Sequence, residues 1–176
     1  MNIFLIFGRD NGKYAYSENT AHRCPECIIL DREKRLRTPL KGVKYDISST
    51  YDNELVVSEY VFQELSKTIG RSNFEKAGEY YYVLPKSTIE FDSVKRLTKF
   101  GSTCSTCGNY SHVIGISPAF LKQEVLVSGI YATDLRFGDT EDDSANLTPA
   151  IVLSKDILDT ISALKQSGLD YEPTNC

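Results

Sequence analysis

The sequence predicts an α+β protein: a mixed sheet with two strand-helix-strand units of internal pseudo-twofold relation, joined by a four-cysteine zinc site. Three observations predict it. The pattern Leu55-Val56-Val57-Ser58 followed by Val61, Phe62 and Leu65 returns 96 residues later as Ile151-Val152-Leu153-Ser154 followed by Ile157, Leu158 and Ile161. A Cys-x-x-Cys unit precedes each copy, at Cys24 and Cys27 and again at Cys104 and Cys107. The composition, 41% hydrophobic and 25% charged over 176 residues, is that of one ordinary globular domain. Residues 1–176 are therefore read as a single domain, with two similar halves of about 1–100 and 101–176 sharing one zinc site.

Taken in order, Ile3 to Phe7 reads as a first strand, a five-residue apolar run closed by Gly8-Arg9-Asp10 and too short for a secretory hydrophobic region. No segment has the roughly 18 apolar residues that span a bilayer, so a cytoplasmic protein with no membrane partner is expected. Asp31 to Lys44 holds Arg32, Lys34, Arg35, Arg37, Lys41 and Lys44 among two acids, with only Tyr45 near as a stacking platform. A solvated loop is the reading for it, with a nucleic-acid patch as the rival.

In each copy of the repeat a β-branched strand runs into a Ser that can cap a helix, and apolar residues follow at helical spacing. Glu59 and Asp156 fall in the first helical turns, where the helix dipole favours them, and Gly70 and Gly168 are C-cap candidates. A strand ending at proline follows each helix, Tyr80 to Leu84 before Pro85 and Leu169 to Tyr171 before Pro173. Alternation then sets Tyr81 on one face and Tyr80 and Tyr82 on the other. Thr88 to Phe91 and Val125 to Leu135, the latter broken near Gly129, are further strands. Ser117-Pro118 predicts an N-cap with Pro at N1, opening a short helix through Phe120 and Leu121.

Charge is unevenly placed. The chain carries −4 in total, the wrong sign for coating nucleic acid, with +2 over residues 1–100 and −6 over residues 101–176. The densest cluster is Asp139, Glu141, Asp142 and Asp143, within the polar stretch 138–148. Such a run is either a solvated loop or a surface that attracts a basic partner.

Two Cys-x-x-Cys units and a fifth cysteine at the end, Cys176, do not make a secreted disulfide framework. They read as two metal knuckles, because a tight turn aims both thiolates of a pair at one point and two such turns complete a tetrahedral sulfur site. Gly108 suits the position after the second knuckle, where positive φ lets amides point at sulfur, whereas Ile28 follows the first. Four thiolates close the coordination sphere, so the metal is expected to be structural. Iron, reduced core thiols and a disulfide pair are the alternatives. His22 and His112 lie near the knuckles as replacement or outer ligands, or as ordinary surface histidines.

Catalytic motifs for phosphate binding, serine hydrolysis and zinc proteolysis are missing. Cys24-Pro-Glu fits half of a zinc-deaminase signature, but Thr103 stands where its second half requires Pro. No enzyme is expected.

The early knuckle, the later Cys104-x-x-Cys107-Gly108 and the closing segment from Ile151-Val152-Leu153-Ser154-Lys155 to Gly168-Leu169-Asp170-Tyr171-Glu172-Pro173 resemble the double-CxxCG proteins of bacterial polymorphic-toxin loci. That resemblance implies a small cytoplasmic immunity protein that binds and neutralises a cognate toxin. By position it implies Cys24, Cys27, Cys104 and Cys107 as zinc ligands. The expected partner is a basic toxin domain docking on Asp139, Glu141, Asp142 and Asp143. A zinc-ribbon nucleic-acid binder and a zinc-dependent enzyme are the alternative functions.

Overall fold

A computed structural model describes residues 2–17, 23–31, 36–123, 127–139 and 146–175. The first strand, β1 (Ile3–Asp10), runs through the middle of the sheet. It is followed by β2 (Ile47–Ser49), β3 (Leu55–Ser58), helix α1 (Glu59–Ile69), β4 (Phe74–Ala77), β5 (Tyr80–Val83), β6 (Ser87–Ile89) and the short α2 (Ser93–Arg96). The second part supplies β7 (Lys99–Phe100), β8 (His112–Ile114), β9 (Ile130–Asp139), β10 (Thr148–Ser154), α3 (Lys155–Ala163) and β11 (Leu169–Pro173). Among the described residues the strands join in the order β4-β5-β3-β2-β1-β10-β9-β8-β7, with β11 also on β1 and β6 on β9. This is the mixed α+β sheet that the sequence predicts.

The repeat is visible in three dimensions. β3 is antiparallel to β5 and β5 to β4, so β3 and β4 run parallel with β5 between them. β10 is likewise antiparallel to β1 and β1 to β11, so β10 and β11 run parallel with β1 between them. Adding the antiparallel neighbours β2 and β9 gives two matching four-strand orders, β4-β5-β3-β2 and β11-β1-β10-β9. The strand equivalent to β11 is thus β4, not the expected Tyr80 to Leu84. The central strand follows the helix in one half and opens the chain in the other, an exchange that a linear comparison of the two copies does not reveal.

α1 buries Val61, Phe62 and Leu65, and α3 buries Ile157, Leu158 and Ile161, the same three positions. The two helices share one core with Leu55, Val57, Leu153 and Tyr81 on one face of the sheet. Tyr81 stacks on Phe62 at 3.7 Å between ring centroids, while Tyr82 is buried on the other face, as alternation requires. That second face is covered separately in each half. Around Val56 and Tyr82 it packs Ala15, Tyr16, Leu30, Leu40 and Val43. Around Leu5 and Val152 it packs Ile89, Phe91, Val113, Ala119 and Leu121.

Four local expectations change. Ser58 accepts a hydrogen bond from Val61 N, as a cap should, but the Ser154 hydroxyl caps no amide and instead accepts from Gly129 N. Gly70 closes α1 with φ of 82°, whereas α3 ends at Leu164. Gly168 instead lies where the half-sheets meet: a Cβ there would stand 2.2 Å from Ile47 O. Ser117-Pro118 is a cis peptide and Phe120 and Leu121 form isolated bridges, so the short helix is not there. Pairing of this segment with Asn175 and Phe91 supplies its backbone partners in place of helical ones. The strand expected from Val125 begins at Ile130. Residues 124–126 lie outside the described residues.

The junction between halves is a two-residue parallel ladder, Arg9 with Ser48 and Asp10 with Ser49. Gly8 makes this approach possible, since a Cβ there would lie 2.2 Å from the Ser48 carbonyl carbon.

Candidate metal centre

Each knuckle is a small hairpin. Arg23 bridges to Leu30 across the first and Thr103 to Tyr110 across the second. In the first, Cys24 N donates to Ile29 O at 3.0 Å and Ile28 N to Cys24 O at 2.9 Å. In the second, Cys104 N donates to Asn109 O at 2.8 Å and Gly108 N to Cys104 O at 2.9 Å. The two turns are the same structure at an offset of 80 residues. Gly108 takes φ of 73° and Ile28 takes 56°, so Ile28 adopts the left-handed conformation that its side chain disfavours.

The hairpins come from different halves. Leu30, at the end of the first, belongs to the core beneath β3 and β5. The second extends the β7–β8 ladder, through Ser111 N to Ser102 O and Gly101 N to His112 O, and Val113 roots it in the core beneath β10. Cys24, Cys27, Cys104 and Cys107 meet with all four sulfurs within 4.8 Å of one another. Cys24 Sγ lies 3.7 Å from Cys104 Sγ, and Cys27 Sγ 3.4 Å from Cys107 Sγ.

All four are free thiols. Their separations are far beyond the roughly 2.05 Å of a disulfide. Four sulfurs about 2.3 Å from one ion stand about 3.8 Å apart, so the donor set and its spacing fit a tetrahedral metal ion. The surroundings favour a thiolate at Cys24. Backbone N–H groups of Cys27 and Glu26 point at Cys24 Sγ and bring its thiol down to about 7. Burial pushes the Cys27 thiol up to about 12. Asn109 Nδ2 donates to Cys107 Sγ at 3.4 Å. Four thiols at one point resist ionising together until a cation neutralises them, which ties metal uptake to proton release.

Glu26, between the two cysteines of the first knuckle, crosses to the second. Its Oε2 accepts from Ser105 Oγ at 3.0 Å and lies 3.5 Å from Cys104 Sγ. Hydrogen bonds from Thr106, Ser105 and Cys104 hold this carboxyl below its ordinary value.

The remaining candidate residues separate from this centre. His112 pairs with Asp139 in the β8–β9 ladder and is not one of the clustered groups. Asp139 is half-buried at the end of β9. Glu141, Asp142, Asp143, His22 and Cys176 lie outside the described residues. In the basic stretch, Arg32, Lys34 and Arg35 also lie outside them, and Arg37 is not solvated as a loop residue would be. Its guanidinium sits 3.6 Å from Glu54 and 3.0 Å from Glu75, over the rings of Tyr16 and Tyr82. Tyr45 is flanked by Lys44 and Arg9.

Sequence reasoning did not single out the buried acids beside Arg37. Asp52 accepts from Ala15 N at 2.9 Å and Tyr16 N at 3.0 Å, and Glu54 accepts from Tyr16 Oη at 2.8 Å. Spaced at i and i+2 after a tyrosine, they carry no motif that distinguishes them from surface acids. No family model matches the chain, and no curated protein matches it.

Proposed function

We propose that this chain is a metal-clamped binding protein in which one structural zinc ion is held by Cys24, Cys27, Cys104 and Cys107, and that its work is toxin immunity. The observation that carries the reading is the convergence of two matched hairpins, rooted in different halves, on one four-sulfur point. Zinc is favoured by the all-thiolate tetrahedral donor set, and bound there it would supply cross-linking and no open coordination position. The chain's own residues do the rest: amides stabilise the thiolates, and the two cores hold the hairpins in place. With the metal position closed, activity by contact with a partner is the economical reading, and the double-CxxCG resemblance names a toxin of a bacterial polymorphic-toxin system as that partner.

A basic toxin domain would dock on the acidic second half, with Asp139, Glu141, Asp142 and Asp143 steering it in the cytoplasm. The burial of Arg37 between two carboxylates disfavours the nucleic-acid alternative, since that cation already has its counterions. A zinc-dependent enzyme would need a ligand position left open to solvent.

The test is elemental analysis of the purified protein and of Cys104→Ser, together with a search for a toxin gene beside its own and binding to the product if one is found. One zinc per chain, lost in the variant, and salt-sensitive toxin association weakened by Asp139→Lys are the expected results. No metal in either sample would overturn the clamp, and a cobalt-substituted spectrum with fewer than four thiolates would favour the enzyme.

A further inference from the structure

We infer that Glu26 is a positioning residue for the metal: its carboxylate latches the first knuckle to Ser105 of the second and pre-sets the four sulfurs before an ion arrives. The inference rests on the metal-binding reading above. The two cysteine pairs are separated by 76 residues, and their hairpins are rooted in different halves. The sulfurs at their meeting point are not bonded covalently to one another, so a contact of another kind is needed to fasten one hairpin to the other ahead of the ion. The hydrogen bond from Ser105 Oγ to Glu26 Oε2, at 3.0 Å, is a cross-link between oxygens that needs no metal.

Its geometry is that of an outer partner. Glu26 is exposed, and its carboxylate is not among the groups that gather within 4.8 Å of one another. The same oxygen lies 3.5 Å from Cys104 Sγ, so its negative charge adds to the field that draws a cation to that sulfur. The latch is one-sided. Thr106 stands two residues after Cys104, where Glu26 stands two residues after Cys24, and it brings no carboxylate to reach back. Partners of this outer kind commonly contribute 10- to 100-fold in metal affinity.

The experiment titrates the reduced, metal-free full chain with cobalt(II) and then measures zinc affinity by competition with a chromogenic chelator, for the wild type, Glu26→Ala, Glu26→Gln and Ser105→Ala. One ion per chain and the same four-thiolate cobalt spectrum are expected in all four. Zinc affinity should fall about 10-fold or more in Glu26→Ala and in the same direction in Ser105→Ala. Glu26→Gln, which keeps an oxygen for Ser105, should recover part of the loss. Because Glu26 is exposed, the fold is expected to persist, and an unchanged circular dichroism spectrum verifies it. Affinity of Glu26→Ala within about twofold of wild type overturns the latch while leaving the metal site standing. A changed cobalt spectrum makes Glu26 a ligand and also overturns it, and a wild type that binds no cobalt overturns both the latch and the clamp.

Discussion

Ile28 and Gly108 occupy the same place in two equal turns, at φ of 56° and 73°. A side chain there costs about 1–2 kcal/mol. Nothing lies within 4 Å of a Cβ placed on Gly108, so Gly108→Ala should lose about 1 kcal/mol through backbone strain alone. Ile28→Gly should be tolerated without loss of stability; urea denaturation of the two variants measures both. Arg37 makes the larger residue-scale prediction. Its side chain is 15% exposed and faces Glu54, which is 4% exposed, so Arg37→Met takes a guanidinium away from a buried carboxylate. The expected cost is about 3 kcal/mol in the same assay. Cysteine spacing made the knuckles legible in the sequence, because local turn geometry alone sets where paired thiols point. The Arg37 network was not legible there, because its members are ordinary surface residue types that only long-range packing buries.

Helices α1 and α3 show how far a repeated pattern reaches. Their buried positions coincide, because apolar spacing dictates which stripe faces the sheet. Their ends differ, because capping depends on what else the Ser can reach. Ser58→Ala should therefore cost about 1 kcal/mol through the lost cap, whereas Ser154→Ala should act through the link to Gly129. The first-turn acids supply a pH dependence. Gln63 and Tyr81 hold the Glu59 carboxyl below its ordinary value, and Ser128 and Ser154 do so for Asp156. Each folded pKa is depressed, so the stabilisation is complete above the ordinary carboxylate range and is lost as pH falls through the folded values. The denaturation midpoint should drop on acidification, and Glu59→Gln should flatten that part of the curve.

At the scale of the molecule, two half-sheets meet along β1 and β2 beneath the core that α1 and α3 share, and the two knuckles meet elsewhere, so the halves are fastened through the sheet and its helices and again at the knuckles. Removing the metal should loosen the second fastening and leave the first. Chelation is expected to lower the melting temperature and to speed hydrogen exchange in residues 23–30 and 103–110. Amides of β3 and β10 should stay protected, because three apolar clusters hold the sheet without the ion. Gly8→Ala attacks the first fastening, where a Cβ would enter the Ser48 backbone, and should destabilise the whole chain with or without metal. Differential scanning calorimetry of metal-loaded and chelated samples separates the two effects.

By itself the sequence determined what depends on near neighbours: which stripes of α1 and α3 are buried, which tyrosine of the run faces the helices, and that each cysteine pair forms a thiolate-aiming turn. Only the tertiary structure decided that β4 rather than β5 matches β11, that β1 serves as the central strand of the second half, and that Gly168 fits the seam instead of ending a helix. These are matters of which strand lies beside which, and strand pairing between distant segments is selected by the joint burial of both faces of the sheet. The same holds for the metal centre. Periodicity and spacing made two knuckles, and it took two separate cores, one beneath each hairpin, to bring them to one point.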